Sequence, residues 1–222
     1  MQMIKYILLI ILSFSIAASE YTRPSDYAEF TVVIDASIDD VWAYNSKNEN
    51  ARKWSTYFYK IVSCPISECP WNANLKQSDI GFTRRCFRRA DEKGTFWDET
   101  TTKIEKSKDL YYKQIRAYNF NEFMDIFNYN EKGEFLVEQI YKKLGENKTS
   151  LTFRSGYIER DELEKETSSF NYFMWKQIFR FITKRSVTNT FKWNLQNIKA
   201  HIEQGSNYKQ VHPYSDDDSD FY

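Results

Sequence analysis

The sequence predicts an α+β fold in which one antiparallel sheet packs against a long C-terminal helix. Between Tyr57 and Ile158 six segments of strand character follow one another with only short breaks, and connections that short join antiparallel neighbours. From Ser168 to Ile202 apolar residues recur every three or four positions, with one five-residue step from Ile182 to Val187, the pattern of a helix with one buried stripe. Ahead of both stands a single strand that runs into two short helical stretches.

The opening strand covers Glu29 to Asp35, where Phe30, Val32 and Ile34 alternate with Thr31, Val33 and Asp35. Ser37 then offers an N-cap, and Asp39 and Asp40 in the first turn favour the helix dipole. Ile38, Val41 and Trp42 form one apolar stripe. A second short helix over Glu49 to Ser55 is expected to bury Trp54. The strands of the meander are expected near residues 57–63, 79–88, 94–104, 109–118, 134–143 and 148–158. Asp91 to Gly94, Lys106 to Asp109, Glu131 to Gly133 and Gly145 to Lys148 mark the breaks. Residues 119–130 are aromatic but fit neither period, and read as a loop or lid.

In the closing helix Phe170, Met174, Ile178 and Ile182 follow at i+4 steps, then Val187, Phe191, Leu195, Ile198 and Ile202. Thr183 to Thr188 is poor helix-forming material, so a bend is expected there. About 35 residues at roughly 1.5 Å each reach some 50 Å, against about 34 Å for a ten-residue strand. The helix must overhang the sheet or kink.

Composition narrows the function classes. The chain of 222 residues carries 31 basic and 31 acidic side chains and is 41% apolar, which suits one domain with a real core. A formal net charge of zero argues against nucleic-acid binding, which needs surplus Lys and Arg. The six glycines leave no phosphate-cradling loop. The two histidines, His201 and His212, both fall late in the chain, which disfavours Ser–His or Cys–His chemistry and multi-His metal sites. By contrast 17 Phe, 16 Tyr and 6 Trp supply bulk for a large apolar interior or an aromatic-lined cavity.

Residues 1–19 read as a secretory signal peptide. Lys5 gives the positive start, Tyr6 to Ile16 the apolar run, and Ala17-Ala18-Ser19 a cleavage site. The run is shorter than the roughly 20 residues of a spanning helix, so the mature chain is expected to be secreted or periplasmic, without a transmembrane span and monomeric. Export makes disulfides possible. Cys64 and Cys69 bracket a four-residue loop suited to a local bridge, while Cys86, inside an expected strand, reads as a small buried thiol. No metal site is expected, for want of a nearby His or a CxxC pair, and no cofactor is expected either. Asn147-Lys148-Thr149 is a glycosylation sequon if the source is eukaryotic. Residues 205–222 hold four Asp and one Lys and read as a disordered acidic tail.

The order of elements resembles the START-like helix-grip superfamily, also called SRPBCC. The segment Phe30 to Trp42 resembles the family's opening, an apolar strand running into a helix with a Val-Trp pair, and Trp54 resembles its following tryptophan. Ile80-Gly-Phe-Thr-Arg84 is similar to its Gly-x-x-Arg strand, Trp97-Asp-Glu99 to its acidic strand, and Phe191 to Glu203 to its closing helix. The likeness covers roughly Tyr27 to Gln204, so residues 20–204 are expected to form one ligand-binding domain. Departures are residues 64–79, the 119–130 insertion, the extended last helix and the tail. The resemblance implies a curved seven-stranded antiparallel sheet wrapped around the long helix, with an apolar cavity between them that takes a lipid, sterol or polyketide. Some relatives cyclise aromatic polyketides, and fold alone does not select among these.

A cavity of that kind is lined by one alternating face of each strand. Tyr112, Gln114, Val137, Gln139, Tyr141, Leu151, Phe153 and Tyr157 are the expected inward residues, with Trp97 on the acidic strand and Met174, Ile178 and Ile182 on the helix. The sharpest polar pair is Arg84 and Glu99, on strands expected to be adjacent. Facing inward, the two would orient a polar head group; facing outward, they are an ordinary surface pair. If Glu99 points out, Asp98 points in. In an enzyme of the polyketide cyclase type, Glu99 or Asp98 with a raised pKa would serve as general base, helped by Arg84 or a tyrosine. A protein-interaction module acting through residues 119–130 or the acidic tail is the third possibility. A non-catalytic carrier or sensor of a hydrophobic small molecule is the reading favoured here.

Overall fold

The computed structural model describes residues 27–120, 133–159 and 184–209. Seven strands form one antiparallel sheet: β1 (Ala28–Ile34), β2 (Lys60–Ser63), β3 (Thr83–Phe87), β4 (Phe96–Lys106), β5 (Leu110–Tyr118), β6 (Gly133–Gly145) and β7 (Lys148–Glu159). Their order is β1-β7-β6-β5-β4-β3-β2, so β2 to β7 are a continuous meander and β1 closes it by pairing with the last strand. Two short helices, α1 (Ile38–Asn45) and α2 (Ala51–Trp54), follow β1, and α3 (Lys184–Gln204) comes after the sheet. This is the curved sheet and closing helix that the sequence implies. The expected signal peptide, Met174, Ile178, Ile182, most of the 119–130 segment and the tail beyond residue 209 lie outside the described residues.

Local chemistry sets the start of α1. The Ser37 hydroxyl accepts from the Asp40 amide at 3.2 Å and donates to its carboxylate at 2.6 Å, satisfying a helix-end N–H that has no partner within the helix. Gly81 enters β3 at φ +91°, a conformation that L side chains rarely adopt, and its amide donates to Thr101. Between Thr101 and Lys103 the β4–β5 register shifts. This bulge changes which residues of β4 face the helices.

The core lies between the helices and one face of the sheet, called concave here. Ile34, Leu151, Phe153, Tyr141 and Trp97 come from the sheet, Val41 and Trp54 from α1 and α2, Leu195 and Ile198 from α3. Edge-to-face rings run Trp97–Phe58–Trp54–Phe153–Phe191 and link β4 through α2 to β7 and α3. Two buried amides fix α3 in register. Asn194 accepts from the Thr56 amide and hydroxyl at 2.9 and 3.0 Å, and Asn197 donates to the Trp54 carbonyl at 3.1 Å.

Cys64 and Cys69 are joined by a disulfide, and Cys86 is a free, fully buried thiol. Among the described residues no helix is long and apolar enough to cross a membrane.

Candidate functional site

Alternation along the paired strands assigns each side chain to a face. On the concave face β3 contributes Arg84 and Cys86, β4 contributes Trp97, Glu99 and Thr101, and β5 contributes Tyr111, Lys113, Ile115 and Ala117. Facing them are Phe135, Val137, Gln139 and Tyr141 of β6, then Leu151, Phe153 and Ser155 of β7. Of the expected inward set, Val137, Gln139, Tyr141, Leu151, Phe153, Trp97, Arg84 and Glu99 therefore share one face. Tyr157 holds the register position opposite Phe135.

Tyr112 and Gln114 do not line this face. They stand opposite Ile140 and Glu138, and the Tyr112 hydroxyl donates to Glu138 at 2.5 Å on the outer, convex side. The parity follows from their strand: Tyr111, Lys113, Ile115 and Ala117 face the core, so the residues between them face away.

The Arg84–Glu99 question is settled by the same parity. The two are direct cross-strand partners on the concave face, and the guanidinium Nε and Nη2 donate to Glu99 Oε2 at 2.8 and 2.6 Å. Arg84 Nη1 also donates to Asn48 Oδ1 at 3.0 Å, in the turn between α1 and α2, and the Trp97 indole donates to Glu99 Oε1 at 2.9 Å. Burial pushes the Glu99 carboxyl up, but the Arg84 charge and the indole and guanidinium hydrogen bonds outweigh it and hold the group below its ordinary value. That is the reverse of the raised pKa a general base needs. Asp98 faces the convex side, where Arg85 donates to both its oxygens at 2.8 and 3.0 Å and Asn119 donates at 2.7 Å. Arg85 also holds Glu68 and so ties the disulfide loop to the sheet.

Lys113 is the residue that sequence reasoning missed. A lysine ordinarily reads as a solvated side chain, yet this one is 8% exposed in the middle of the concave face. Its register neighbours are Ile104 of β4 and Gln139 of β6. Among the described residues its ammonium has no hydrogen-bond or ion-pair partner. The Gln139 amide oxygen already accepts from Asn45 at 3.2 Å and from the Tyr141 hydroxyl at 3.0 Å, which leaves it donors rather than an acceptor to offer. Burial, with repulsion from Arg84, lowers the Lys113 pKa to about 7 against the opposing pull of Glu99. The Cys86 thiol and Tyr141 phenol, both pushed up by burial, stay neutral.

The face is thus apolar at its margins and polar at its centre. Trp97, Phe135, Tyr141 and Phe153 supply rings, while Ala117, Val137, Thr101 and Ser155 supply small side chains over the central strands. Phe120 stacks on Trp97 with ring centroids 6.0 Å apart and meets Phe135 edge-on, covering one end.

No family model matches the sequence, and no curated protein matches it. Solved structures do. A hypothetical protein from Helicobacter pylori superposes with a TM-score of 0.57 at 9% identity, over 80% of this chain and 88% of that one. A START superfamily protein from Mycobacterium smegmatis gives a TM-score of 0.50 at 10% identity, over 80% of this chain and 97% of that one. Ara h 8.0201 gives a TM-score of 0.50 at 8% identity, over 81% and 99%. At such identities the likeness is one of fold, and with the strand order and the closing helix it assigns this chain the START-like helix-grip fold.

Proposed function

We propose that the protein is an exported carrier or sensor that holds a hydrophobic small molecule, of the lipid, sterol or polyketide kind, against the concave face of its sheet. The observation that carries this reading is the layout of that face. Small side chains over β5 to β7 stand between large aromatic residues, and a charged cluster sits among them. A solid core gains nothing from a buried Arg, Glu and Lys, because apolar residues of similar volume fill such space at lower cost. A ligand with an apolar body and one polar end uses both features. Export is supported by the basic and apolar N-terminal segment and by the Cys64–Cys69 bridge, which suits an oxidising compartment.

A catalytic reading through Glu99 is disfavoured by the lowered pKa and by the two donors already on its oxygens. Mass spectrometry of organic extracts from protein purified natively from its own source tests the proposal. Stoichiometric recovery of one class of apolar molecule supports it. Protein that is consistently empty and takes up no hydrophobic probe contradicts it.

A further inference from the structure

We infer that Lys113 is the receptor for a ligand carboxylate, so that the molecule held on the concave face is an acidic amphiphile rather than a neutral lipid. This rests on the binding reading above and specifies the chemistry of its polar end. Among the described residues the charged groups facing Lys113 are Arg84 on β3 and Glu99 on β4. Asp39 on α1 is engaged by the Tyr111 hydroxyl at 2.6 Å at the exposed edge. Cys86 and Tyr141 remain neutral. With Lys113 protonated, the cluster holds two cations and one anion.

Glu99 cannot readily serve both cations. One of its oxygens takes two hydrogen bonds from Arg84 and the other takes the Trp97 indole. Gln139 presents donors to its neighbour, as its oxygen is occupied by Asn45 and Tyr141. Lys113 and Gln139 are direct cross-strand partners, so their N–H groups converge on one side of the sheet. Among the described residues this arrangement lacks an anionic acceptor. A carboxylate between them pairs the ammonium, accepts from the amide and neutralises the cluster. A neutral hydroxyl end satisfies only part of this.

The buried amine also sets a pH signature. A carboxylate ligand stabilises the protonated form, so above pH 7 binding must take up a proton, and affinity falls about tenfold per pH unit. Affinity for a neutral ligand lacks that dependence.

The test is calorimetric titration of decanoate and hexadecanoate against 1-decanol and 1-hexadecanol, at pH 6.5 and pH 8.5, into wild type, Lys113→Met and Lys113→Arg. The expected result is at least tenfold preference of wild type for the acids at pH 6.5, much reduced at pH 8.5. Lys113→Met is expected to lose the preference for acids over alcohols, and Lys113→Arg to restore acid preference without its decline at pH 8.5. Equal affinity of wild type for acid and alcohol, or an acid preference that survives in Lys113→Met, overturns the inference while leaving hydrophobic binding intact. Failure of wild type to bind any of the four probes counts against the binding reading itself, and the inference falls with it.

Discussion

Arg84 and Glu99 stand opposite each other on β3 and β4, with the guanidinium Nη2 2.6 Å from the carboxylate and both side chains nearly nine-tenths buried. Charges this far from water are tolerated only when paired and hydrogen-bonded, and removing one partner leaves the other exposed to the full cost of burial. Glu99→Gln is therefore expected to lower unfolding stability by about 3 kcal/mol or more in urea denaturation. The double variant Arg84→Met/Glu99→Leu is expected to recover most of that loss. Equal destabilisation by the single and double variants contradicts a coupled pair.

The same pair gives a pH dependence with a definite sign. The folded carboxyl of Glu99 sits below its ordinary value of 4.5, so its contribution is complete above that pH and is lost as pH falls through the folded value. The stability gap between wild type and Glu99→Gln is expected to narrow steadily below about pH 4. A gap that stays constant down to pH 2 argues against it.

Lys113 acts in the opposite direction. Its pKa falls from 10.5 to about 7 on folding, so the unfolded chain binds more protons between these values and stability rises with pH across that window. Lys113→Met is expected to be more stable than ligand-free wild type at pH 6, by about 3–5 kcal/mol. The advantage should shrink towards pH 10. Chemical denaturation at a series of pH values checks both the sign and the window.

Asn194 joins α3 to the segment after α2 through two hydrogen bonds on one buried oxygen. Asn194→Ala strands the Thr56 amide and hydroxyl, and is expected to cost about 1–3 kcal/mol. Thermal unfolding reads this directly, and an unchanged midpoint excludes Asn194 as an anchor.

The Cys64–Cys69 bridge closes a short loop that carries Glu68 to Arg85. Chain-entropy reasoning gives about 2 kcal/mol for a loop of this size. Reductant, or replacement of both cysteines by serine, is expected to lower the melting midpoint by several degrees. Cys86, fully buried, should stay unreactive towards thiol reagents in the folded protein. Rapid labelling of Cys86 without unfolding contradicts that placement.

Much of the fold was legible because its signals are local. The breaks at Asp91–Gly94 and Lys106–Asp109, the alternation in residues 29–35 and the Ser37 cap each depend on a few neighbouring residues, and each lies where it was expected. The facing of β5 was less legible. Tyr111 and Tyr112 are adjacent and identical, and a lysine at 113 made the strand's inner face look like its outer one, although Ile115 and Ala117 pointed the other way. Tertiary context decides such a strand. The buried amides Asn45, Asn194 and Asn197 left no periodic trace either, since a polar residue on an apolar stripe is visible only through its partner across the fold.

Room on the concave face for a guest molecule is tested most directly by filling it. Val137 is half-buried on that face, opposite Ile115 and Ser155, so Val137→Trp adds bulk there. The measurement is fluorescence titration of a hydrophobic, environment-sensitive dye into wild type and Val137→Trp, with circular dichroism confirming that both are folded. Saturable one-to-one uptake by wild type and its loss in the folded variant is the expected result. No saturable uptake by wild type, or uptake unchanged by the added indole, contradicts it.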